Sequence, residues 1–576
     1  MQRIGIGYEY YKDFLDHNLY YVDKTLLIKD VIDFGGAVTL FTRPRRFGKT
    51  LALSMLRIFF EEERDRDGNI VDNSRYFSGK KIMDCGDPEI LSMMGKYPVI
   101  KLSLKSAKQP DFKTAIQKLS EEIAGEFRRH RYLESSDRID PSLKNKFLDL
   151  YLGAGDPDDP GKYSTALKTL SECLYEHHGK KVIILLDEYD VPLENAWYSG
   201  FYDEMVGFIR SLFESALKTN DALERAVITG CLRISKESIF TGLNHLMVNS
   251  IRGEDFGEFF GFTQAETEQM LIDYGLSEKI EEVREWYDGY LFGDSDVYNP
   301  WSVINYVANH RRNHDRFPEP YWSNTSSNTI IKELVENSTP EQKRELDILI
   351  NGGTIEKRIH EDITYADIHE SEDNLWNFLY FTGYMRKVSE RSIGRDVYLT
   401  MRIPNNEVAC IYSDQIMNWF EKRKKEISRE PLYKAIENRD GKAIGAFLTE
   451  VLQKTISTFD SGEDFYHGLF LSLLYGMPYY APRSNREEGD GRPDIVLYPD
   501  RREDPAIIFE LKVRKEYEDM EEGLREAFAQ IDDKRYEQGV LDEGYLGFVS
   551  FGGCFCKKSA LIEFKAASEK KQGRLI

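Results

Sequence analysis

The sequence predicts an α/β protein: a unit built on a parallel sheet, then a helical and mixed middle region, then a second α/β unit. Strand-like runs ending in small, polar or charged residues recur at 37–41, 98–104, 181–186 and 225–231, with helix-compatible stretches between them. That alternation is the pattern of a parallel sheet with crossover helices. Near the other end, 491–498 and 506–513 read as two strands joined by a polar turn. The 576 residues, at about 150 per domain, make room for about four units. We set their bounds at 1–260, 261–345, 346–429 and 430–576. The acidic stretch at 155–161 stays inside the first unit, because a strand suited to the same sheet follows it. The 261–345 segment reads as a helical lid or winged-helix-like region, broken by aromatic clusters at 286–290 and 297–302 that suit a small core. The 346–429 segment reads as a small mixed linker with a hairpin at 384–402.

Hydrophobic residues make up 41% and aromatic residues 13% of the chain, enough for packed cores and incompatible with a disordered protein. Against 77 basic residues stand 99 acidic ones, a net charge of −22. A global basic footprint for nucleic acid or anionic lipid is therefore excluded, and any phosphate site must be a local feature. The six cysteines, at 85, 173, 231, 410, 554 and 556, are too scattered for a disulfide scaffold or a four-ligand zinc site and suit a reducing compartment. No apolar run of signal-peptide length opens the chain. The most apolar later stretch, 465–481, contains His467, Gly468, Gly476 and Pro478 and falls short of the ~20 residues a bilayer span needs. These features predict a soluble cytoplasmic protein with no membrane partner.

The strand at 38–41 leads into Thr42-Arg43-Pro44-Arg45-Arg46-Phe47-Gly48-Lys49-Thr50, and an apolar helix follows. Strand, loop, Gly-Lys-Thr and helix form a phosphate-loop context. Backbone N–H groups at a helix start wrap polyphosphate oxygens, a lysine neutralises their charge, and a hydroxyl holds Mg²⁺. Arg45, Arg46, Phe47, Gly48, Lys49 and Thr50 are the candidate binding residues. Arg43 stands where the general motif has its first glycine. Alone, Gly-Lys-Thr could be a chance surface turn. The other half of such a site is the apolar run at 181–186 ending in Asp187-Glu188, where Asp187 would hold Mg²⁺ and Glu188 would orient and deprotonate the attacking water. Thr229, on the strand that could lie alongside, would present a hydroxyl to the γ-phosphate, and Arg233 and Lys236 follow closely. Each of these last residues is also open to a purely structural reading.

Tyr21-Val22-Asp23-Lys24-Thr25, Arg43-Pro44-Arg45-Arg46-Phe47-Gly48-Lys49-Thr50, Leu186-Asp187-Glu188-Tyr189-Asp190 and Thr229-Gly230 followed by Arg233-Ile234-Ser235-Lys236-Glu237-Ser238 resemble the bacterial AAA-ATPase-like family. Its phosphate loop similarly carries Arg-Pro-Arg-Arg-Phe-Gly-Lys-Thr, so Arg43 departs from the general motif and not from the family. The resemblance covers roughly residues 1 to 280 and implies a P-loop ATPase fold and ATP as cofactor.

At the C-terminal end, strand alternation puts Ile508, Glu510 and Lys512 on one face. A hairpin folded symmetrically about Arg502 makes Asp494 and Glu510 cross-strand partners, with Cβ atoms ~4.5–5.5 Å apart. Two carboxylates that close repel unless a divalent cation lies between them. Lys512 then completes a site suited to phosphodiester hydrolysis, with Mg²⁺, or alternatively Mn²⁺, polarising the phosphate. Glu463 could supply a third carboxylate, and Glu487 is an alternative. Gln530, Lys534 and Tyr536 could reach a phosphate backbone. An exposed hairpin with a simple Glu510–Lys512 ion pair is the competing reading.

Glu463, Asp494, Glu510-Leu511-Lys512 and Gln530, with Phe465-Tyr466-His467-Gly468, Ser484-Asn485-Arg486-Glu487, Gly489-Asp490-Gly491-Arg492-Pro493-Asp494 and Phe509-Glu510-Leu511-Lys512, resemble the PD-(D/E)XK nuclease superfamily, in the branch found fused behind the ATPase-like domain. The resemblance implies a restriction-endonuclease-like α/β fold with Asp494 and Glu510 as metal ligands and Lys512 as catalytic residue. Nucleic acid is the expected partner, DNA being favoured over RNA, and a homo-oligomer stays open. Binding would rest on local basic groups such as Arg483, Arg514, Lys515 and Lys534, and so be salt-sensitive. A nucleotide-dependent regulatory switch whose second domain binds without cleaving is the alternative.

Overall fold

The computed structural model describes residues 2–65, 68–152, 159–233, 239–240, 245–314, 316–322, 331, 339–350, 352–361, 365, 371–423, 428–455, 463–484, 493–534 and 536–565. The chain divides into two compact units. One holds Met1–His314 with Glu356–Asn405, and the other holds Asn406–Ile576 with most of the intervening segment.

The first unit is built on five parallel strands, β1 (Val38–Thr42), β2 (Val99–Ser103), β3 (Val182–Asp187), β4 (Leu223–Gly230) and β5 (Leu246–Asn249), in the order β2-β3-β4-β1-β5. The first four occupy the runs read from the sequence. The fifth, only four residues long, is an addition. Every residue of β1 and β3 is buried, as befits strands covered by helices on both faces, and their sequences are mainly apolar, with Thr39, Thr42 and Asp187 the buried polar residues. Because β4 lies between β1 and β3, the residues ending all three strands meet at one edge of the sheet.

Three short strands, β6 (Phe262–Thr263), β7 (Tyr290–Phe292) and β8 (Ser295–Tyr298), form a small sheet in the order β6-β8-β7. The helices Gln264–Tyr274, Ile280–Tyr287 and Pro300–His310 lie in the same region. The first of these opens with a capping box between Thr263 and Glu266, which satisfies helix-end donors. A further sheet joins β9 (Ile355–Arg358) to the antiparallel pair β10 (Arg386–Ile393) and β11 (Asp396–Arg402), the hairpin expected at 384–402.

The second unit carries a mixed sheet in the order β12 (Tyr480–Ser484), β13 (Ile495–Pro499), β14 (Ala506–Val513), β15 (Phe548–Cys556), β16 (Ser559–Lys565). All neighbours are antiparallel except β14 and β15, which the helices Met520–Asp533 and Tyr536–Asp542 connect. Alternate residues pack on opposite faces. Ile495, Leu497, Ile507, Phe509 and Leu511 join a core with Leu448, Phe470 and Leu473, while Val496, Tyr498, Ala506 and Ile508 pack with Ile531, Tyr536 and Val540. Among the described residues no helix is long and apolar enough to cross a membrane.

Candidate nucleotide and metal sites

Strand β1 delivers the chain into the phosphate loop at Arg43. The arginine side chain is completely buried, and it packs inside the protein: its guanidinium donates to Asn249 O at 2.8 Å and to Asn249 Oδ1 at 2.5 Å. It lies 5.1 and 5.2 Å from the ring centres of Phe260 and Phe292. Burial pulls its pKa down to about 9. Arg43 therefore ties the start of the loop to the end of β5, a structural function that the motif alone could not reveal.

The next side chains are also anchored. Arg45 is ion-paired with Glu194, in the helix Val191–Ser199. Arg46 is exposed, has φ of 71° and lies 4.3 Å over the Trp301 ring. Phe47 is 1% exposed and packs edge-on against Tyr290 and Phe292 at 4.9 and 5.1 Å. The aromatic clusters that suited a small core thus also pack against the loop. Gly48 has φ of 78° and open space where a Cβ would stand, so the backbone angle is what calls for glycine. Lys49 opens the helix Lys49–Phe60. Its Nζ donates to the carbonyls of Arg43 and Pro44, both at 2.8 Å, and reaches Cys231 Sγ at 3.7 Å.

Asp187 ends β3 and is 2% exposed. Thr50 Oγ1 donates to its Oδ2 at 2.7 Å, and Thr229 Oγ1 donates to its Oδ1 at 2.5 Å. The three sequence candidates, one from the helix Lys49–Phe60 and two from the ends of β3 and β4, are therefore in direct contact. Glu188 follows with φ of 53°. Burial, aided by the Asp187 charge, pushes its carboxyl above the usual range, the direction that suits a general base. Arg233 lies 3.7 Å from Glu361; Lys236 is outside the described residues.

In the second unit, Ile495 pairs with Phe509, Val496 with Ile508 and Leu497 with Ile507, the register of a hairpin folded about Arg502. Asp494, one residue ahead of β13, thereby stands across from Glu510, and its Oδ2 accepts the Leu511 N–H at 2.6 Å. Its carbonyl accepts from His467 Nε2 at 2.7 Å. Glu510 is fully buried. Lys512 Nζ donates to its Oε1 at 2.7 Å, and its Oε2 has no hydrogen-bond partner among the described residues. Burial first, then the Asp494 charge, push the Glu510 carboxyl up to about 7.

An orphaned, buried carboxylate oxygen beside a second carboxylate suits a divalent cation. Among the described residues no group of three His, Cys, Asp or Glu side chains is arranged to hold a metal, so the observed donor set is the Asp494–Glu510 pair. Glu463 begins the helix Glu463–Leu474, but its side chain, like all of Glu487, lies outside the described residues. Gln530 Nε2 donates to Tyr536 Oη at 2.9 Å. Tyr536 is 1% exposed, and its hydroxyl is pushed up to about 12, by burial first and with the charges of Glu510 and Asp494 adding to it. Lys534 caps the preceding helix and is exposed. Arg514 is paired with Glu526, while Lys515 is exposed.

The first unit thus sets a phosphate loop at the edge of a parallel sheet, and the second sets a buried carboxylate pair and a lysine on a mixed sheet. Residues 5–240 match the family model described as predicted AAA-ATPase, and residues 461–565 match that of the PD-(D/E)XK nuclease superfamily. An uncharacterized protein in the vnfD 5′ region of Azotobacter chroococcum mcd 1 is 24% identical over 403 residues, which is 69% of this chain and 66% of that relative. The chain thus spans just under two thirds of the relative's length. The Walker-type ATPase PABY2304 of Pyrococcus abyssi aligns with a TM-score of 0.34 and 13% identity, over 68% of this chain and 94% of the other.

Proposed function

We propose that the protein binds and hydrolyses ATP at the first site and cleaves nucleic acid, DNA in preference to RNA, at the second, in the cytoplasm. The observation that carries this reading is Glu510, buried opposite Asp494 with one oxygen orphaned and the other held by Lys512. A divalent cation held by Asp494 and Glu510, Mg²⁺ or Mn²⁺, would polarise the scissile phosphate. Lys512 holds one Glu510 oxygen in place and sets an ammonium where charge builds on the phosphate. Leu511 N–H fixes the Asp494 carboxylate. At the nucleotide site the loop backbone wraps the phosphates and Lys49 offsets their charge. Thr50 and Asp187 would hold the Mg²⁺ that accompanies ATP, and Glu188 takes the proton of the attacking water.

The test is cleavage of plasmid DNA and of short single strands by the wild type and by Lys512→Ala, with Mg²⁺ or Mn²⁺, with and without ATP, at two salt concentrations. We expect cleavage by the wild type, reduced about 100-fold or more in the variant. Undiminished cleavage by the variant would remove Lys512 from the mechanism. Absence of cleavage with ATP hydrolysis intact would make the second unit a binding module.

A further inference from the structure

The loop after β3 carries Glu188, and the turn after β4 carries Cys231, whose Sγ lies 3.7 Å from Lys49 Nζ. Past the end of β4, the Cys231 and Leu232 N–H groups point to a side chain. Asp190 Oδ2 accepts both, at 2.7 and 3.1 Å. The neighbouring Tyr189 hydroxyl donates to Leu232 O at 2.5 Å. Two consecutive residues of one loop thus bind three backbone groups of the other. Asp190 is 3% exposed and its Oδ1 has no hydrogen-bond partner among the described residues; burying a carboxylate is costly, and the two backbone bonds to Oδ2 offset part of that cost.

Gly230 lies at the point of closest approach. A Cβ there would come within 2.5 Å of the Tyr189 ring and 2.9 Å of Asp190 Oδ1, distances real side chains do not tolerate. The glycine after Thr229 is therefore required by the contact between the two loops.

We propose that Asp190 is a positioning residue of the nucleotide site: through its bonds to Cys231 and Leu232 it fixes the β4 turn that seats Cys231 against Lys49, and so sets the lysine in register with Glu188. The inference rests on the ATPase reading of the site. The hydrogen bonds carry the effect, and the negative charge is not needed. Asparagine, which keeps an acceptor oxygen, can replace aspartate.

The test uses the full chain and three variants, Asp190→Asn, Asp190→Ala and Tyr189→Phe. Nucleotide Kd and kcat are measured together with the rate at which a thiol reagent labels Cys231, read by mass spectrometry. We expect Asp190→Ala to lower kcat about tenfold or more, to change Kd by less than about threefold, and to speed Cys231 labelling about tenfold. Asp190→Asn should keep kcat and labelling within about threefold of wild type. Tyr189→Phe, which removes a single bond from the same turn, should speed labelling by about threefold and keeps the proposal testable should Asp190→Ala not fold. Wild-type kcat and labelling in Asp190→Ala would overturn the proposal. So would equal damage by Asn and Ala, which would assign the effect to charge. A wild type that hydrolyses no ATP would overturn the ATPase reading, while Cys231 labelling would still decide whether the clamp exists.

Discussion

Lys512 and Glu510 stand two residues apart on one strand, and the lysine Nζ donates to Glu510 Oε1 at 2.7 Å while the carboxylate itself is fully buried. One oxygen is satisfied, the other is orphaned, and Asp494 supplies a second carboxylate across the hairpin. That geometry favours a proton on Glu510 when no metal is present, and under the proposed function a divalent cation would displace it.

The exchange has a pH signature. Glu510 is raised from 4.5 to about 7 in the folded protein, so between those values the folded state binds more protons than the unfolded one. In metal-free protein its contribution to stability is complete at low pH and is lost as pH rises through 7. Mg²⁺ should therefore raise Tm more at pH 8 than at pH 6, and apparent Mg²⁺ affinity should weaken about tenfold per pH unit below 7. A Tm series with and without Mg²⁺ checks this, and a shift independent of pH would argue against Glu510 as a ligand.

Glu188→Gln keeps the shape of the loop after β3 and removes the proposed base. ATP binding should persist, and hydrolysis should fall by about 100-fold or more. Single-turnover hydrolysis beside a binding titration separates the two, and a matching loss of affinity would point to a phosphate-contacting role instead.

Restoring the general motif with Arg43→Gly should harm the protein. The change empties a fully buried site and leaves Asn249 O and Oδ1 without their donor, at a cost of about 3 kcal/mol. Denaturant unfolding measures it. Unchanged stability would mean that the arginine is not a strut.

Away from the phosphate edge, Tyr132 Oη bridges His130 Nδ1 at 3.1 Å and His178 Nε2 at 2.9 Å, with Glu61, Glu62, Glu126, Arg64 and Arg129 around them. Burial, followed by the His177 and Arg64 charges, lowers His178 from 6.5 to about 3. The unfolded chain takes up a proton there first, so this contribution to stability is present above pH 6.5 and is lost as pH falls towards 3. Tm should drop with acidification over that window, and His178→Gln should flatten the slope. An unaltered slope would place the acid sensitivity elsewhere.

How much of this was legible beforehand follows from the range of each interaction. Strands β1 and β3 are buried at every position and β2 and β4 along most of their length, so each is written as a mainly apolar run. Gly48-Lys49-Thr50 and Asp187-Glu188 are short motifs tied to strand ends, and strand alternation with a symmetric turn suffices to bring Asp494 opposite Glu510. β5 escaped notice because four residues carry too little pattern. Arg43, Asp190 and the floor of aromatic rings under Phe47 were illegible for another reason. Their partners lie far along the chain: Asn249 and Phe292 for Arg43, the Cys231 and Leu232 amides for Asp190, Tyr290 and Phe292 for Phe47.

By itself, then, the sequence determined the candidate residues and their local setting, because backbone period and motif spacing act over a few residues. Only the tertiary structure decided which oxygen is orphaned, which arginine is a strut and which glycine permits a contact, because burial and hydrogen-bond satisfaction exist only when distant segments pack.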